Sequence, residues 1–398
     1  MSSKKKILFV IDSLVAAGAE KSLVTLLGML DYSKYEVDLQ LFGYGGEFEQ
    51  FLPKEVNLLP PLSYNKFVTK SLKKQIISFD FIKLYSRFES GIRLRKNNLN
   101  NRQKARIYWD STKRSYKKTD MVYDVAIAYA QGIPTFYVAD KVRAQKKLAW
   151  VNADLVLTGR DKKFQFPRYK KFERIIAVSD SSKKSFLKGI SELESKVETV
   201  YDIIDENNIL YLASQLPSLK LEKDSPYLIT VSRLCNNSKG MDIALDACKK
   251  LKERGLNFRW YCFGTGDFKS QMEYFIKKNE LSDYMKLMGR VSNPLPYVKD
   301  AAIYVCTSRA ESFGISIAEA RVLNVPVITT DFFGVYNQMV PNKNGIVVPL
   351  NDSEAVANAI EDLLLHPEKR KMISDYQKTE KKGNTEEFQK FLSLIEDN

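Results

Sequence analysis

Residues 4–12 read KKKILFVID, a short apolar run with β-branched residues that starts after basic residues and stops at Asp12. A loop that contains Gly18 follows over residues 13–18, and a helical pattern covers residues 20–30. Residues 35–42, YEVDLQLF, alternate as a strand does. Because strand, loop, helix and strand follow in this order, we expect a parallel sheet with helices on both faces.

The same order recurs along the chain in two series. The first continues at YDVAIAYA (123–130), LAWVNAD (148–154) and RIIAVSD (174–180). Periodic strands stop between residues 205 and 226, and a second series then follows: YLITVS (227–232), FRWYCFG (258–264), MKLMG (285–289), AAIYVCT (301–307), VPVITT (325–330) and GIVVPL (345–350). The predicted fold class is therefore α/β, with two Rossmann-like doubly wound domains facing across a cleft. We set their limits at residues 1–205 and 206–378, with a last helix over residues 379–398.

The composition predicts a folded cytosolic protein. Of the 398 residues 44% are hydrophobic, enough to build packed cores. The longest apolar runs have about five residues, whereas a membrane-spanning helix needs about 20. The first of them stops at Asp12, too early for a signal peptide. The four cysteines form no C-x-x-C pair, so we expect reduced, buried thiols.

The net charge of +14 is concentrated in one segment, residues 66–118, which holds sixteen Lys or Arg residues against three acidic ones. Within it, Ile77, Phe81, Leu84, Phe88 and Ile92 recur at helical spacing with basic residues between them. This pattern is typical of a helix that binds an anionic membrane surface. The alternative is an ordinary surface helix whose apolar stripe packs on its own domain. Nucleic acid is disfavoured because the segment carries no recognition motif.

Charged and glycine residues follow four strands of the second series. Arg233, Lys239 and Gly240 come after the first strand, and Gly264-Thr265-Gly266 after the second. Arg290 and Val291 come after the third. In doubly wound sheets ligands bind at the carboxyl ends of the strands. Two cations beside a helix start would neutralise a diphosphate, although either could be a solvated surface residue.

After the fourth strand, residues 311–320 read ESFGISIAEA, with Glu311 and Glu319 eight positions apart. Backbone N–H groups at the helix start near Ile315 can bind an anion, and carboxylates accept hydrogen bonds from sugar hydroxyls. The alternative is a capping box, in which Ser316 and Glu319 satisfy backbone donors at the helix start. Together the strand-end residues predict a ligand that is a nucleotide diphosphate carrying a sugar.

These stretches resemble the retaining glycosyltransferases of the GT-B fold called family 4. Glu311 and Glu319 match that family's E-x7-E motif, and VSRLCNNSKGMDIAL (231–245) resembles its G-R-L…K-G segment. Two further stretches match the sequence that usually follows this motif in the family: PVITTDFFGVYNQMV (326–340) and NGIVVPLND (344–352). The stretch AAGAEKSL (16–23) resembles the family's loop after the first strand. The resemblance covers nearly the whole chain.

The resemblance implies a role for each matching residue. The first domain, with the basic segment, would bind the acceptor and the second the nucleotide sugar, while the last helix could return to the first domain. Arg233 and Lys239 would bind the diphosphate and stabilise its charge, and Glu311 would contact the donor sugar; these three are the implied catalytic residues. Further donor contacts would come from the backbone or side chains of Gly18, Arg290, Val291, Phe313, Gly314, Ile315 and Glu319, the last at the ribose hydroxyls.

The sequence departs from the family pattern at three positions. Ser232 stands where the family usually has Gly, Asp202 where an Asn is common, and Asn152, on the acceptor side, where a His is usual. The one histidine of the chain is His366, near a late helix end, so no histidine base is expected. Because the leaving phosphate can take the acceptor's proton in a front-face reaction, the chemistry does not require one. The alternative is a two-step route in which Glu311 is the nucleophile.

The function that we predict is retaining transfer of a sugar from a nucleotide-diphosphate donor, a UDP-sugar by preference, to a lipid-linked or polymeric glycan. The resemblance favours bacterial surface polysaccharides such as capsule or teichoic acid, made at the inner face of the cell membrane. No D-x-D motif occurs, so we expect no metal and no other cofactor. The alternatives are a non-catalytic partner subunit that binds glycan or protein and, less favoured, a GT-B epimerase or phosphorylase.

Overall fold

The computed structural model describes residues 4–15, 18–96, 99–153, 155–217, 219–222 and 225–396. Small parts of the predicted segments, at residues 16–17, 97–98, 154 and 397–398, lie outside them. Contacts divide the chain into an N-terminal unit, residues 1–202 with 386–398, and a C-terminal unit, residues 203–385. The roles that we predict for the two domains, acceptor binding by the first and donor binding by the second, stay predictions.

A parallel sheet forms the centre of the N-terminal unit, with strand order β3-β2-β1-β4-β5-β6-β7. Ile7 of the first strand pairs with Val37 on one side and Val125 on the other. Its strands are β1 (Lys5–Ile11), β2 (Tyr35–Leu41), β3 (Asn57–Leu58), β4 (Val122–Ala128), β5 (Arg143–Val151), β6 (Arg174–Ala177) and β7 (Val197–Thr199). Its helices include α1 (Gly18–Met29), α2 (Ser63–Val68), α3 (Leu72–Ile77), α4 (Phe81–Leu94), α5 (Asn101–Thr112), α6 (Ile133–Lys141), α7 (Gly159–Tyr169) and α8 (Asp180–Gly189).

The C-terminal unit has a second parallel sheet, with strand order β10-β9-β8-β11-β12-β13. Its strands are β8 (Tyr227–Val231), β9 (Arg259–Phe263), β10 (Met285–Gly289), β11 (Ile303–Cys306), β12 (Val327–Thr330) and β13 (Gly345–Val348). Its helices are α9 (Glu206–Ser214), α10 (Asn236–Lys239), α11 (Met241–Glu253), α12 (Lys269–Lys278), α13 (Leu295–Lys299), α14 (Ile315–Val322), α15 (Ser353–Leu365) and α16 (Pro367–Thr379). Short 3-10 turns complete the described structure at Glu49–Phe51, Lys113–Ser115, Ser191–Lys196 and Val335–Asn337.

Alternation along the strands places helices on both faces of the second sheet. Leu228 of β8 belongs to a core with α11, α12 and α15, while its neighbours Tyr227 and Ile229 belong to a core with α9, α13 and α14. Successive strand side chains point to opposite faces, so each face buries its own apolar layer. The prediction of two Rossmann-like doubly wound α/β domains is confirmed.

The last helix, α17 (Thr385–Glu396), packs in the N-terminal unit. Phe391 is fully buried, with its ring 6.3 Å from that of Phe9 and 5.9 Å from that of Trp150. At the end of the helix, Lys5 and Lys146 donate to the carbonyls of Ile395 and Leu394 at 2.8 and 3.1 Å. Cations at a helix C-terminus satisfy its last carbonyls and oppose its dipole.

The basic segment differs from the single helix that its spacing predicts. Phe79, with φ of 49°, lies between α3 and α4 and breaks the pattern. Of the five apolar residues in the predicted stripe, only Leu84 packs against the core of its own unit. Ile77, Phe81, Phe88 and Ile92 are each at least half exposed. The alternative that this stripe packs on its own domain is therefore wrong for four of its five residues.

Candidate active site

The loops that follow β8, β9 and β10 are joined by backbone hydrogen bonds at one edge of the second sheet. The N–H of Ser232 donates to Phe263 O at 3.0 Å, and the N–H of Gly264 donates to Gly289 O at 2.7 Å. Leu234 N–H donates to Thr265 O at 3.0 Å. Parallel strands end at the same edge of a sheet, so the three loops lie side by side there. The hydrogen bonds between them hold the backbone that carries the charged residues.

Gly240 lets the loop after β8 lie against the end of β11. Its φ is 59°, and a Cβ added there would lie 2.1 Å from the carbonyl oxygen of Thr307. The hydroxyl of Thr307 donates to the carbonyls of Lys239 and Gly240 at 3.1 and 2.9 Å. Only glycine combines this dihedral with such a close approach. The result is that Lys239 is held beside the loop that carries Glu311.

Lys239 and Glu311 form an ion pair between these two loops. The lysine Nζ lies 2.6 Å from each carboxylate oxygen of Glu311, and the Ser308 hydroxyl donates to Oε1 at 2.6 Å. The exposed fractions of the two side chains are only 18% and 13%. Limited solvent access strengthens such a charged hydrogen bond. The structure therefore brings together two of the three implied catalytic residues and pairs their charges.

Arg233 lies on the same loop but has no such partner. It is exposed, and its guanidinium makes no hydrogen bond or ion pair with any residue that the structure describes. The charge of Lys239 is already matched by Glu311, so Arg233 is the uncompensated cation of this loop.

Two further predicted donor residues follow β10. Arg290 is exposed, and one of its guanidinium nitrogens donates to the Thr265 hydroxyl at 3.2 Å. Val291 is half-buried and packs against the core shared with α14. The described contacts thus fix Arg290 at the sheet edge beside the Gly264-Thr265-Gly266 loop.

The start of α14 decides between the two interpretations of Glu319. The helix begins at Ile315 after Gly314, which has φ of 85°, and the amide of Gln338 donates to Phe313 O. Ser316 is inside the helix and makes no capping bond, so the capping-box alternative is wrong. Glu319 is the fifth helical residue, in the second turn instead of the first, and is 5% exposed.

Arg309 is a supporting residue that the sequence analysis missed. Its guanidinium donates to both carboxylate oxygens of Asp242, in the first turn of α11, at 2.8 and 2.7 Å. Burial raises the pKa of Asp242, but the Arg309 guanidinium, together with hydrogen bonds from Ile243 and Asn236, holds it below its ordinary value. This bidentate pair anchors the loop between Cys306 and Glu311 to α11. No local pattern signals it, because 67 residues separate the partners.

Gly18 and Asn152 belong to the N-terminal unit. Gly18 is exposed and is the first residue of α1. Asn152 follows β5; its side-chain amide donates to Tyr129 O at 2.6 Å, and its backbone N–H donates to Gln131 Oε1 at 2.8 Å. Asn152 therefore lies at the carboxyl end of β5, and Gly18 at the start of the helix that follows β1.

The same edge holds a buried acid, Asp202, noted in the sequence only as a departure from the family pattern. It is 8% exposed. Burial raises its pKa to about 6, although a hydrogen bond with Ser22 opposes the rise. The Ser22 hydroxyl also lies 2.9 Å from the Tyr129 hydroxyl. His366, by contrast, is at the end of α15, with Nδ1 3.0 Å from Glu368 Oε1.

No group of three or more His, Cys, Asp or Glu side chains in the described ranges is arranged to hold a metal ion. All four cysteines are free thiols. Within the same ranges, no helix has the length and apolar character needed to cross a bilayer.

The two doubly wound α/β units have the fold of solved GT-B glycosyltransferases. The solved structure of Anabaena HepE, in complex with UDP and glucose, superposes with a TM-score of 0.69 at 18% identity and covers 99% of this chain and 100% of that one. At this identity the likeness establishes the fold. Residues 214–380, which hold Arg233, Lys239, Glu311 and Glu319, match the family described as Glycosyl transferases group 1.

Two curated relatives are similar to about half of the chain. The capsular polysaccharide biosynthesis glycosyltransferase CapM of Staphylococcus aureus is 27% identical over 201 residues, 48% of this chain and 52% of CapM. An N-acetylgalactosamine-N,N'-diacetylbacillosaminyl-diphospho-undecaprenol 4-alpha-N-acetylgalactosaminyltransferase of Campylobacter jejuni is 23% identical over 216 residues, 54% of this chain and 57% of the relative. The chain thus spans little more than half the length of these relatives. The family match concerns residues 214–380, whereas the fold match covers nearly the whole chain.

Proposed function

We propose that this protein is a retaining family 4 glycosyltransferase that moves a sugar from a UDP-sugar to a lipid-linked or polymeric glycan in bacterial surface polysaccharide synthesis. The name of CapM supports the polysaccharide, and the diphospho-undecaprenol in the name of the Campylobacter relative supports a lipid carrier. The UDP and glucose bound to HepE support the donor class.

The observation that carries the proposal is the grouping of Arg233, Lys239 and Glu311 at the carboxyl edge of the second sheet. The diphosphate gains negative charge as the bond to the sugar breaks. Arg233 supplies a positive charge that no described residue neutralises, and its loop is fixed by the backbone bonds of Ser232 and Leu234. A donor placed at the developing charge contributes about 3 kcal/mol to its stabilisation.

The Lys239–Glu311 pair supports one-step, front-face transfer. Glu311 holds contacts of 2.6 Å with Lys239 and with Ser308, which lower the nucleophilicity that a covalent route would need. In our mechanism Glu311 accepts hydrogen bonds from donor-sugar hydroxyls, Lys239 adds charge near the diphosphate, and the leaving phosphate oxygen takes the acceptor's proton. A covalent sugar trapped on Glu311 would overturn this route.

The remaining predicted residues complete the donor site in this proposal. Backbone groups from Phe313 to Ile315 bind the donor sugar or phosphate, Glu319 binds the ribose hydroxyls, and Arg290 with Val291 meets the base. Gly18 provides a further donor contact, and Asn152, after a strand of the first sheet, serves the acceptor side. Cations take the place that a metal ion holds in other glycosyltransferases, so transfer should continue in EDTA.

Calorimetry with UDP, GDP and ADP, followed by turnover of radiolabelled UDP-sugars in EDTA, tests the proposal. We expect heat from UDP and a loss of turnover of about a hundred-fold in Arg233→Ala. Lys277→Ala removes an exposed cation of α12, away from the strand edge, and is the control that should keep wild-type turnover. The absence of a binding heat with UDP, GDP and ADP would contradict the proposal. So would unchanged nucleotide binding after replacement of both Arg233 and Lys239.

The non-catalytic partner subunit remains the second candidate, because Asn152 replaces a histidine that the family usually carries. The same experiment separates the two. If the protein is a partner subunit, the wild type shows no turnover, whether or not a nucleotide binds with measurable heat. If it is an enzyme, the wild type shows both a binding heat and turnover.

A further inference from the structure

Helices α3 and α4 bury polar side chains and expose large apolar ones, which is the reverse of an ordinary surface helix. In α4 the buried residues are Ser86 and Ser90, and in α3 the buried residue is Gln75. The Ser115 hydroxyl donates to Ser86 Oγ at 2.8 Å inside this contact. Small polar side chains thus attach α4 to its own unit, and the large apolar ones are left outside.

Nine large apolar side chains of the described residues from 72 to 92 are each more than half exposed. Four of them, at positions 81, 85, 88 and 92, recur along one stripe of α4. The docking surface, as we name it, consists of Leu72, Ile76, Ile77, Phe79, Phe81, Ile82, Tyr85, Phe88 and Ile92. An apolar patch of this extent on a protein surface marks an interaction site.

Basic side chains flank the docking surface and are available to a partner. Asp80 and Glu89 are already used, because Asp80 pairs with Lys83 at 2.8 Å and Glu89 with Arg93 at 2.8 Å. Six exposed cations form no ion pair with any residue described here: Lys66, Lys70, Lys73, Lys74, Arg95 and Lys96. The partner therefore has to accept apolar groups at the centre and positive charge around them.

We propose that the docking surface binds the headgroup and acyl boundary of an anionic phospholipid bilayer. Aromatic and aliphatic side chains enter the acyl boundary while lysine and arginine contact lipid phosphates. A second copy fits poorly, since a two-fold interface would bring like charges together. Nucleic acid fits less well, since five of the nine exposed side chains are aliphatic and do not stack on bases: Leu72, Ile76, Ile77, Ile82 and Ile92.

This inference deepens the proposed function, on which its biological meaning rests. An enzyme that extends a lipid-linked glycan needs its acceptor-side domain at the bilayer, and the docking surface belongs to the N-terminal unit. The physical claim concerns lipid binding alone, so it is tested apart from catalysis.

The test is cosedimentation of the full chain with phosphatidylcholine vesicles, with and without phosphatidylglycerol. We expect binding to the anionic vesicles and little to the neutral ones. Phe81→Ser with Phe88→Ser, and separately Lys73→Gln with Lys74→Gln, should each lower the partition coefficient about ten-fold. Phe81 and Phe88 are 72% and 67% exposed, so their replacement leaves the core intact.

Tyr274→Ser with Met372→Ser is the matched control, because these side chains are 68% and 70% exposed but belong to the C-terminal unit. It should bind vesicles as the wild type does. Equal partition into both vesicle types, or unchanged binding by the two test variants, would overturn the inference. So would a change from dimer to monomer in Phe81→Ser with Phe88→Ser if the wild type binds no vesicles.

The heat of UDP binding, measured on the same samples, separates the two proposals. Vesicle binding without a heat of UDP binding contradicts the proposed glycosyltransferase activity but supports bilayer binding by the docking surface. A nucleotide heat without vesicle binding contradicts the docking surface alone.

Discussion

At the scale of single residues, charge pairing distinguishes the two basic side chains that follow β8. Lys239 is neutralised within the chain by Glu311 at 2.6 Å, whereas Arg233 is exposed without a described partner. When a diphosphate binds, Arg233 gains an interaction, while Lys239 has to share one that it already has. Arg233 should therefore matter more for nucleotide affinity and Lys239 more for the local arrangement of the site.

Asp202 gives a residue-scale prediction about pH. Burial raises its folded-state pKa from 3.8 to about 6, so the folded protein binds this proton more tightly than the unfolded chain does. Its stabilising contribution is full below about pH 4 and is lost as the pH rises through about 6. We expect Asp202→Asn, which cannot ionise, to be more stable than the wild type at about pH 8 by about 1–3 kcal/mol.

Urea unfolding of both proteins at several pH values provides the measurement. The stability difference should shrink as the pH is lowered toward 4. A difference that is constant across this range would show that the carboxyl group does not titrate in the folded protein as its burial requires.

At the scale of elements, the close approach of the loop after β8 to the end of β11 depends on Gly240. The substitution Gly240→Ala puts a Cβ where the Thr307 carbonyl lies 2.1 Å away, at a φ of 59°. We expect it to destabilise the C-terminal unit by about 1–3 kcal/mol and to separate Lys239 from Glu311. Urea unfolding and hydrogen exchange at the ends of β8 and β11 measure these effects.

Gly28→Ala is the matched control for this element. Gly28 lies in α1 with no atom within 4 Å of an added Cβ, so alanine should be neutral or stabilise the helix by about 0.5–1 kcal/mol. If Gly240→Ala were as harmless as Gly28→Ala, the loop could not be held as the structure has it.

At the scale of the whole molecule, the end of the chain helps to hold its beginning. Phe391 of α17 is buried against Phe9 of β1 and Trp150 of β5. Phe391→Ala should destabilise the N-terminal unit by about 3–5 kcal/mol, because it removes a buried ring and leaves a cavity. Urea unfolding measures the loss, and hydrogen exchange should locate it in β1 and β5.

The exposed Met372 of α16 supplies the control, since Met372→Ala should stay within about 0.5 kcal/mol of the wild type. Equal loss of protection in β8 and β1 after Phe391→Ala would mean that the last helix does not stabilise the first unit specifically.

The sequence by itself determined the two α/β domains and the edge at which the site residues lie. Strand periods are local, so patterns of a few residues predicted β10 with its observed bounds and β8 to within one residue. The strands β3 and β7 were missed because two or three residues cannot display an alternation. Arg233, Lys239 and Glu311 could be named in advance because strand ends are visible in the sequence.

Only the tertiary structure decided how those residues are paired and which faces are covered. Lys239 and Glu311 are 72 residues apart, and Arg309 and Asp242 are 67 apart, so no local pattern relates them. An amphipathic period shows that α4 has an apolar stripe but not whether its own domain buries that stripe; the structure leaves it exposed. The physical reason is the same throughout: periodicity is set by neighbours along the chain, whereas pairing and burial are set by neighbours in space.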